Sequence, residues 1–188
     1  MIVIYSDQKF IPAQNSIFLA GPTPRVKGVK SWRKEALKFL RKAGFQGVVY
    51  VPEYSTGKPL EEYSSSMTNF NKQVEWEEAA LKAAGAILFW IPRKMDTMPA
   101  LTTNVEFGMH YKEKRAFLGH PSDAVHMDYM DRKYRMRHPD RTIPTDLKSL
   151  CGLCVKYVQD KSVPQRVVSV FVDFVRFTDY TLTKHKST

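Results

Sequence analysis

The stretch Ala86-Ile-Leu-Phe-Trp-Ile91, bounded by Gly85 and Pro92, constrains the fold more than any other part of the chain. Six apolar side chains in a row leave no polar face, so a strand built from them must be covered on both sides. That is the setting of an inner strand in a parallel sheet. The flanking segments agree. The N-terminal MIVIYSDQKF reads as a first strand, Ile17–Gly21 (IFLAG) as a short buried strand ending in Gly-Pro, Gln46–Pro52 (QGVVYVP) as another, and Arg115–Gly119 (RAFLG) as the last.

Helical patterns separate these strands. Over Ser31–Ala43, the residues Trp32, Ala36, Phe39, Leu40 and Ala43 fall on one stripe, and Gly44 stands where a left-handed cap belongs. From about Thr68 to Ala84 a second helix puts Trp76, Ala80 and Ala83 on one face, and a third runs from about Asn104 to Glu113. The alternation predicts an α/β fold with a mostly parallel sheet and helices on both faces. Ligands of such sheets sit outside the carboxyl ends of the strands. The loops Gly21–Lys30, Pro52–Met67, Pro92–Thr103 and His120–Thr142 therefore form the expected binding edge. Of these, His120–Arg141, rich in charge, Met and Tyr, reads as a long functional loop holding one helical turn. C-terminal helices follow over Thr145–Asp160 and beyond Ser162, where Ser162-Val-Pro-Gln165 resembles a capped start and Arg166, Ser169, Asp173 and Arg176 recur at helical spacing.

At 188 residues with 43% hydrophobic content, one domain over 1–188 is expected, with a core over about 1–120 and an extension over about 121–188. No apolar run approaches the length of a membrane span, and the N-terminus does not read as a signal peptide. Two cysteines three apart, Cys151 and Cys154, make neither a disulfide framework nor a four-ligand zinc site, so no metal is expected and both thiols are expected to be structural. A reducing, cytoplasmic setting follows.

The net charge of +10 is unevenly spread. Between Pro24 and Lys42, eight basic residues (Arg25, Lys27, Lys30, Arg33, Lys34, Lys38, Arg41, Lys42) face one acid, Glu35, which accounts for +7 of it. Such a segment is either a solvated helix face or an attractor of phosphates, nucleotides or nucleic acid. Neither the dinucleotide fingerprint nor the phosphate-binding P-loop occurs, and no helix-turn-helix, zinc-finger or basic-zipper pattern is visible. Any nucleic-acid binding is thus expected to be weak and sequence-independent.

The segment Pro99-Ala-Leu-Thr-Thr-Asn-Val-Glu-Phe-Gly108 carries the chemistry. Two roles compete for Glu106. With Thr103 it has the spacing of a capping box. Alternatively it lies in the first helical turn at the binding edge, where the helix dipole favours an ionised carboxylate able to attack a sugar carbon. Gly21 lets a ligand approach the backbone, the neighbouring prolines stiffen the loop, and Arg25 is either a turn residue or a phosphate fork. In Gln73-Val-Glu-Trp-Glu77 at most one of Glu75 and Glu77 faces a given site, because residues two apart diverge on a helix.

The ordered set IFLAGPTPR (Ile17–Arg25), the Trp32 helix, VPE (Val51–Glu53), WE (Trp76–Glu77), ILFWIPR (Ile87–Arg93) and TTNVEFG (Thr102–Gly108) resembles the nucleoside 2-deoxyribosyltransferase-like family, most of all its divergent branch in bacteria and their phages. The resemblance implies a flavodoxin-like, Rossmann-like three-layer sandwich and cleavage of the N-glycosidic bond of a nucleoside or nucleotide. It implies that Glu106 attacks C1′ and that a second base or water resolves the covalent intermediate. Gly21 and Pro22 become substrate contacts, with Arg25, Thr103 and Asn104 beside them, and Glu77 takes a position where better-known members carry Asp. A further Asp of those enzymes has no counterpart in Leu101-Thr102-Thr103. No cofactor is implied. Homo-oligomers are common in the family, and the His120–Thr142 segment, with Met127 and Tyr129, is the expected contributor to a neighbour's site. A nucleotide N-glycosidase or nicotinamide-dinucleotide glycohydrolase stands as the alternative enzyme. A catalytically inactive, basic nucleotide- or nucleic-acid-binding module is the alternative outside enzymes.

Overall fold

The computed structural model describes residues 1–26, 28–57 and 67–160. Five strands, β1 (Ile2–Tyr5), β2 (Ser16–Ala20), β3 (Val48–Val51), β4 (Ala86–Trp90) and β5 (Ala116–Gly119), form one sheet in the order β1-β3-β2-β4-β5. Every pairing is parallel, with Ile2 beside Val48, Ile17 beside Val49, Leu19 beside Leu88, and Leu88 beside Phe117. Strands β2 to β5 therefore follow a doubly wound arrangement, and the winding reverses between β2 and β4. All five residues of β4 are buried, as a strand without a polar face requires.

Side chains alternate between the two faces. On one, Phe18, Tyr50, Ile87, Phe89 and Leu118 meet α2 (Met67–Ala83), α3 (Leu101–His110) and α4 (Asp128–Arg137). On the other, Ile17, Leu19, Val49, Leu88 and Phe117 meet α1 (Arg33–Lys42) and α5 (Leu147–Gln159). The result is the three-layer α/β sandwich that the strand and helix pattern predicts.

Three expectations need correction. Helix α3 starts at Leu101, three residues before Asn104, because buried Ala100 takes a left-handed turn (φ 62°) that launches the helix early. The segment 120–141 is not a loop with one turn: its middle is the ten-residue helix α4. Met127, Met130 and Tyr134 recur at helical spacing and enter the core, and the Tyr134 hydroxyl donates to the Ala116 carbonyl at 3.1 Å. Met127 is thus a core residue, whereas Tyr129 stands out at 73% exposure. Third, the basic segment is not all surface, since Arg33 is buried among α1's apolar side chains. The sequence-read helix beyond Ser162 and most of the Pro52–Met67 loop lie outside the described residues.

Helix α5 begins at Asp146, whose carboxylate accepts from the Ser149 amide at 2.8 Å. Its Leu147, Leu150, Cys151, Cys154 and Val155 are buried against α1 and the sheet. Burial pushes the Cys151 thiol up to about 12 and that of Cys154 well above its ordinary value. Both thiols should resist alkylation at pH 8 until the protein is unfolded. Cys154→Ser should lower stability by about 1–3 kcal/mol in urea titration, because it places a hydroxyl in an apolar layer. Rapid modification of the native protein would contradict this packing.

Candidate active site

A cavity of about 310 Å³ opens at the carboxyl edge of the sheet, at the point where the winding reverses. Its floor is the turn after β2. Gly21 lies so close to β4 that a Cβ there would stand 2.1 Å from the Trp90 carbonyl oxygen and 2.8 Å from the Trp32 ring. Its φ of +149° is also one that side-chain-bearing residues rarely adopt. The Trp32 indole donates to the Pro22 carbonyl at 3.0 Å, pinning the next peptide.

One wall comes from α2, with Phe70, Gln73, Val74 and Glu77, and the opposite wall from α3, with Leu101, Thr102, Thr103 and Glu106. The early start of α3 changes the reading of its first turn. Ala100, not Thr103, occupies the cap position, and no side chain caps the helix. Thr103 is buried within the helix, so Thr103 and Glu106 do not form a capping box. Glu106 falls in the second turn, beyond the reach of the first-turn dipole. Both Thr103 and Glu106 instead line the cavity.

The expected ionised state of Glu106 is also corrected. Burial, and then the nearby carboxyl of Glu77, push Glu106 up to about 8, against the opposing pull of Arg33. Glu77 is raised as well, by burial, although Gln73 and Arg33 counteract it. Gln73 donates from Nε2 to Glu77 Oε1 at 2.6 Å, while its own Oε1 has no partner among the described residues. Two like charges in one partly desolvated space do not both form readily, so near neutral pH the pair retains a proton.

Arg33 underlies this arrangement. It is 2% exposed and lines the cavity. Its Nε donates to the Leu19 carbonyl at 3.1 Å and its Nη2 to the Gly21 carbonyl at 2.5 Å. Its Nη1 reaches Thr23 Oγ1 at 3.0 Å and Glu53 Oε1 at 2.8 Å. Glu53 accepts in addition from the Ser31 hydroxyl at 2.7 Å.

Of the residues singled out in the sequence, Gly21, Pro22, Arg25, Glu77, Thr103 and Glu106 line one cavity. Arg25 is exposed, and its amide donates to the Thr97 carbonyl at 3.0 Å, which ties the first loop to the loop before α3. Asn104 is not among the lining residues; its Oδ1 accepts from buried Arg93, whose other contacts are the His126 carbonyl at 2.8 Å and Met130 Sδ. Glu75 is exposed. Arg33, Gln73 and Phe70 are among the cavity residues that sequence reasoning missed. A signal existed for two of them: Gln73 is one helical turn before Glu77, and Arg33 shares α1's inward face with Ala36, Leu37 and Leu40.

The cavity thus brings two acids to the switch point of a doubly wound sheet, the place where ligands of such sheets bind. The model of the nucleoside 2-deoxyribosyltransferase-like family matches residues 14–124, more than half of the chain, and the protein belongs to that family. Membership suggests nucleoside binding and activity of the glycosyl-transfer or glycosyl-hydrolysis kind. The matched span contains the cavity floor and both acids. A search among curated proteins finds no match. No helix among the described residues is long and apolar enough to cross a membrane.

The raised carboxyl has a consequence for stability. A group whose folded-state pKa exceeds its unfolded value stabilises the fold fully below the unfolded value, here about 4.5, and loses that contribution as pH rises through about 8. Wild-type protein should therefore lose melting temperature relative to Glu106→Gln, which cannot ionise, between pH 5 and pH 9. Parallel melting curves for the two proteins across that range would contradict the buried-acid description.

Proposed function

We propose that the protein cleaves the N-glycosidic bond of a deoxynucleoside or its nucleotide, with Glu106 as nucleophile. The observation that carries this reading is the pairing of Glu106 with Glu77 across one cavity at the switch point of the sheet. A displacement at C1′ needs one carboxylate and one proton donor, and a pair that holds a single proton offers both. In the reactive arrangement the proton resides on Glu77 and Glu106 is charged. A Glu106 oxygen forms a bond to C1′ while the bond from C1′ to the base nitrogen breaks, and the base leaves with that electron pair. The proton on Glu77 is placed to neutralise the base as it departs. A second base, or water, then attacks C1′ and gives its proton back to Glu77, while the bond from C1′ to the Glu106 oxygen breaks and restores the carboxylate, with retention at the sugar carbon.

The rest of the cavity fits a nucleoside. Phe70, 52% exposed at the rim, offers a flat apolar surface to a base, with Leu101 facing it from α3. Gln73, on the same wall, holds Glu77 in place through its Nε2. Gly21 and Pro22 present backbone to the ligand. Arg25 at the rim favours a substrate with a phosphate, and exposed Lys30 and Lys34 extend the same positive field.

Glu106→Gln keeps the shape and removes the charge, so base release measured by chromatography should fall by about a thousandfold or more while circular dichroism is unchanged. Release near the wild-type rate from this variant would sink the assignment of Glu106, whereas no release from the wild type itself would favour a binding module on the same fold. Supplying a second free base separates transfer from hydrolysis, because only transfer yields a new nucleoside. Arg25→Ala should weaken a nucleoside monophosphate by roughly tenfold and leave the bare nucleoside nearly unaffected, since a charge-assisted contact contributes about 1.5–3 kcal/mol. Equal loss for both ligands would remove the phosphate contact.

A further inference from the structure

Arg33 is a buried cation on the wall of a cavity that holds two acids, and the glycosidic reading gives it no step of its own. Four of its five N–H bonds are taken up by the Leu19 and Gly21 carbonyls, Thr23 Oγ1 and Glu53 Oε1. These acceptors come from the end of β2, the loop that follows it, and Glu53, two residues beyond the end of β3. The guanidinium therefore cannot swing towards or away from the cavity without breaking bonds to two backbone carbonyls and two side chains. Its planar face also lies 4.8 Å from the Trp32 ring centroid, and Trp32 is the residue that pins Pro22.

The charges around it set what a fixed cation can do there. Among the described residues, charged or titratable side chains reach the cavity as Arg25 from the first loop, Arg33 from α1, Glu77 from α2 and Glu106 from α3. Glu53 stands behind Arg33. On α3 itself the other titratable group is His110, one turn further on and held by Glu113 at 2.6 Å. Arg25 is exposed to solvent, so its field is screened. If both cavity acids ionised, Glu53, Glu77 and Glu106 would face a single buried cation. Arg33 opposes the rise in proton affinity at both Glu77 and Glu106, as its place beside them requires.

We propose that Arg33 is a positioning residue of the reaction: held rigid by its four bonds, it fixes the Gly21 turn and supplies the positive charge against which Glu106 takes its nucleophilic form. The inference rests on Glu106 acting as the nucleophile. Glu53 is then part of the same device, because as the only carboxylate bonded to Arg33 among the described residues it sets how much of that charge reaches the cavity.

The test is the pH dependence of kcat/KM for base release from a deoxynucleoside, together with the carbon-13 NMR titration of the Glu106 carboxyl. Removing the cation in Arg33→Gln should move the acidic limb of the rate profile, and the Glu106 titration with it, upward by about one pH unit or more. Arg33→Lys keeps the charge but not the fork, so the limb should stay near its wild-type position while the rate falls. Glu53→Gln keeps an acceptor for Arg33 and removes its counter-charge, so the limb should move the opposite way, downward; this variant carries the test if Arg33→Gln does not fold. A merely structural Arg33 predicts loss of rate with the limb unmoved. An active wild type whose limb and Glu106 titration stay in place in both Arg33→Gln and Glu53→Gln would overturn the proposal. Absence of base release from the wild type is a different failure, that of the glycosidic reading, and is visible before any variant is made.

Discussion

The contact on which this molecule turns is the buried bond network of Arg33. A guanidinium at 2% exposure is tolerable only when its donors are satisfied and its charge is met. Here the acceptors are the backbone at the end of β2 and the Glu53 side chain at the end of β3. One side chain of α1 thereby ties the end of β2 to the segment after β3, and orders the turn that becomes the cavity floor. The arrangement is costly to assemble, because the cation and its carboxylate must both leave water. It places a positive charge where the opposing helices bring two acids.

Fold and site were legible to different degrees, for a physical reason. The strands could be read because a doubly covered strand admits only apolar residues, and β4 shows it without interruption. The order of strands and helices followed from the same rule. Helix α4 escaped because its inward face is thin: Met127, Met130 and Tyr134 are three apolar positions in a segment otherwise full of Arg, Lys and Asp. The start of α3 escaped because a left-handed alanine, unlike a glycine, carries no mark in the sequence.

Glu106, Glu77, Gly21 and Arg25 were found from placement at strand ends and from a family's ordered motifs. Arg33 was not, because residue type argued against it. An arginine within a run of lysines looks like surface, and only the spacing to Ala36, Leu37 and Leu40 says otherwise. The early start of α3 also removed an attractive misreading. A Thr and a Glu three apart look like a cap, yet turning the helix three residues earlier puts both on the inward face of its first two turns, where they serve the cavity instead.

The Gly21 turn has a last consequence, for how such a site can diversify. The floor of the cavity is main chain pressed against the Trp90 carbonyl, with no room for even a methyl group. Substitution cannot reshape it. The rim is different: Phe70, Leu101 and Thr102 come from two separate helices and are exposed. Rim residues can therefore be replaced one at a time while the floor keeps its shape. On the glycosidic reading proposed above, selectivity would lie on side chains of the two helices and the chemistry on a floor of main chain.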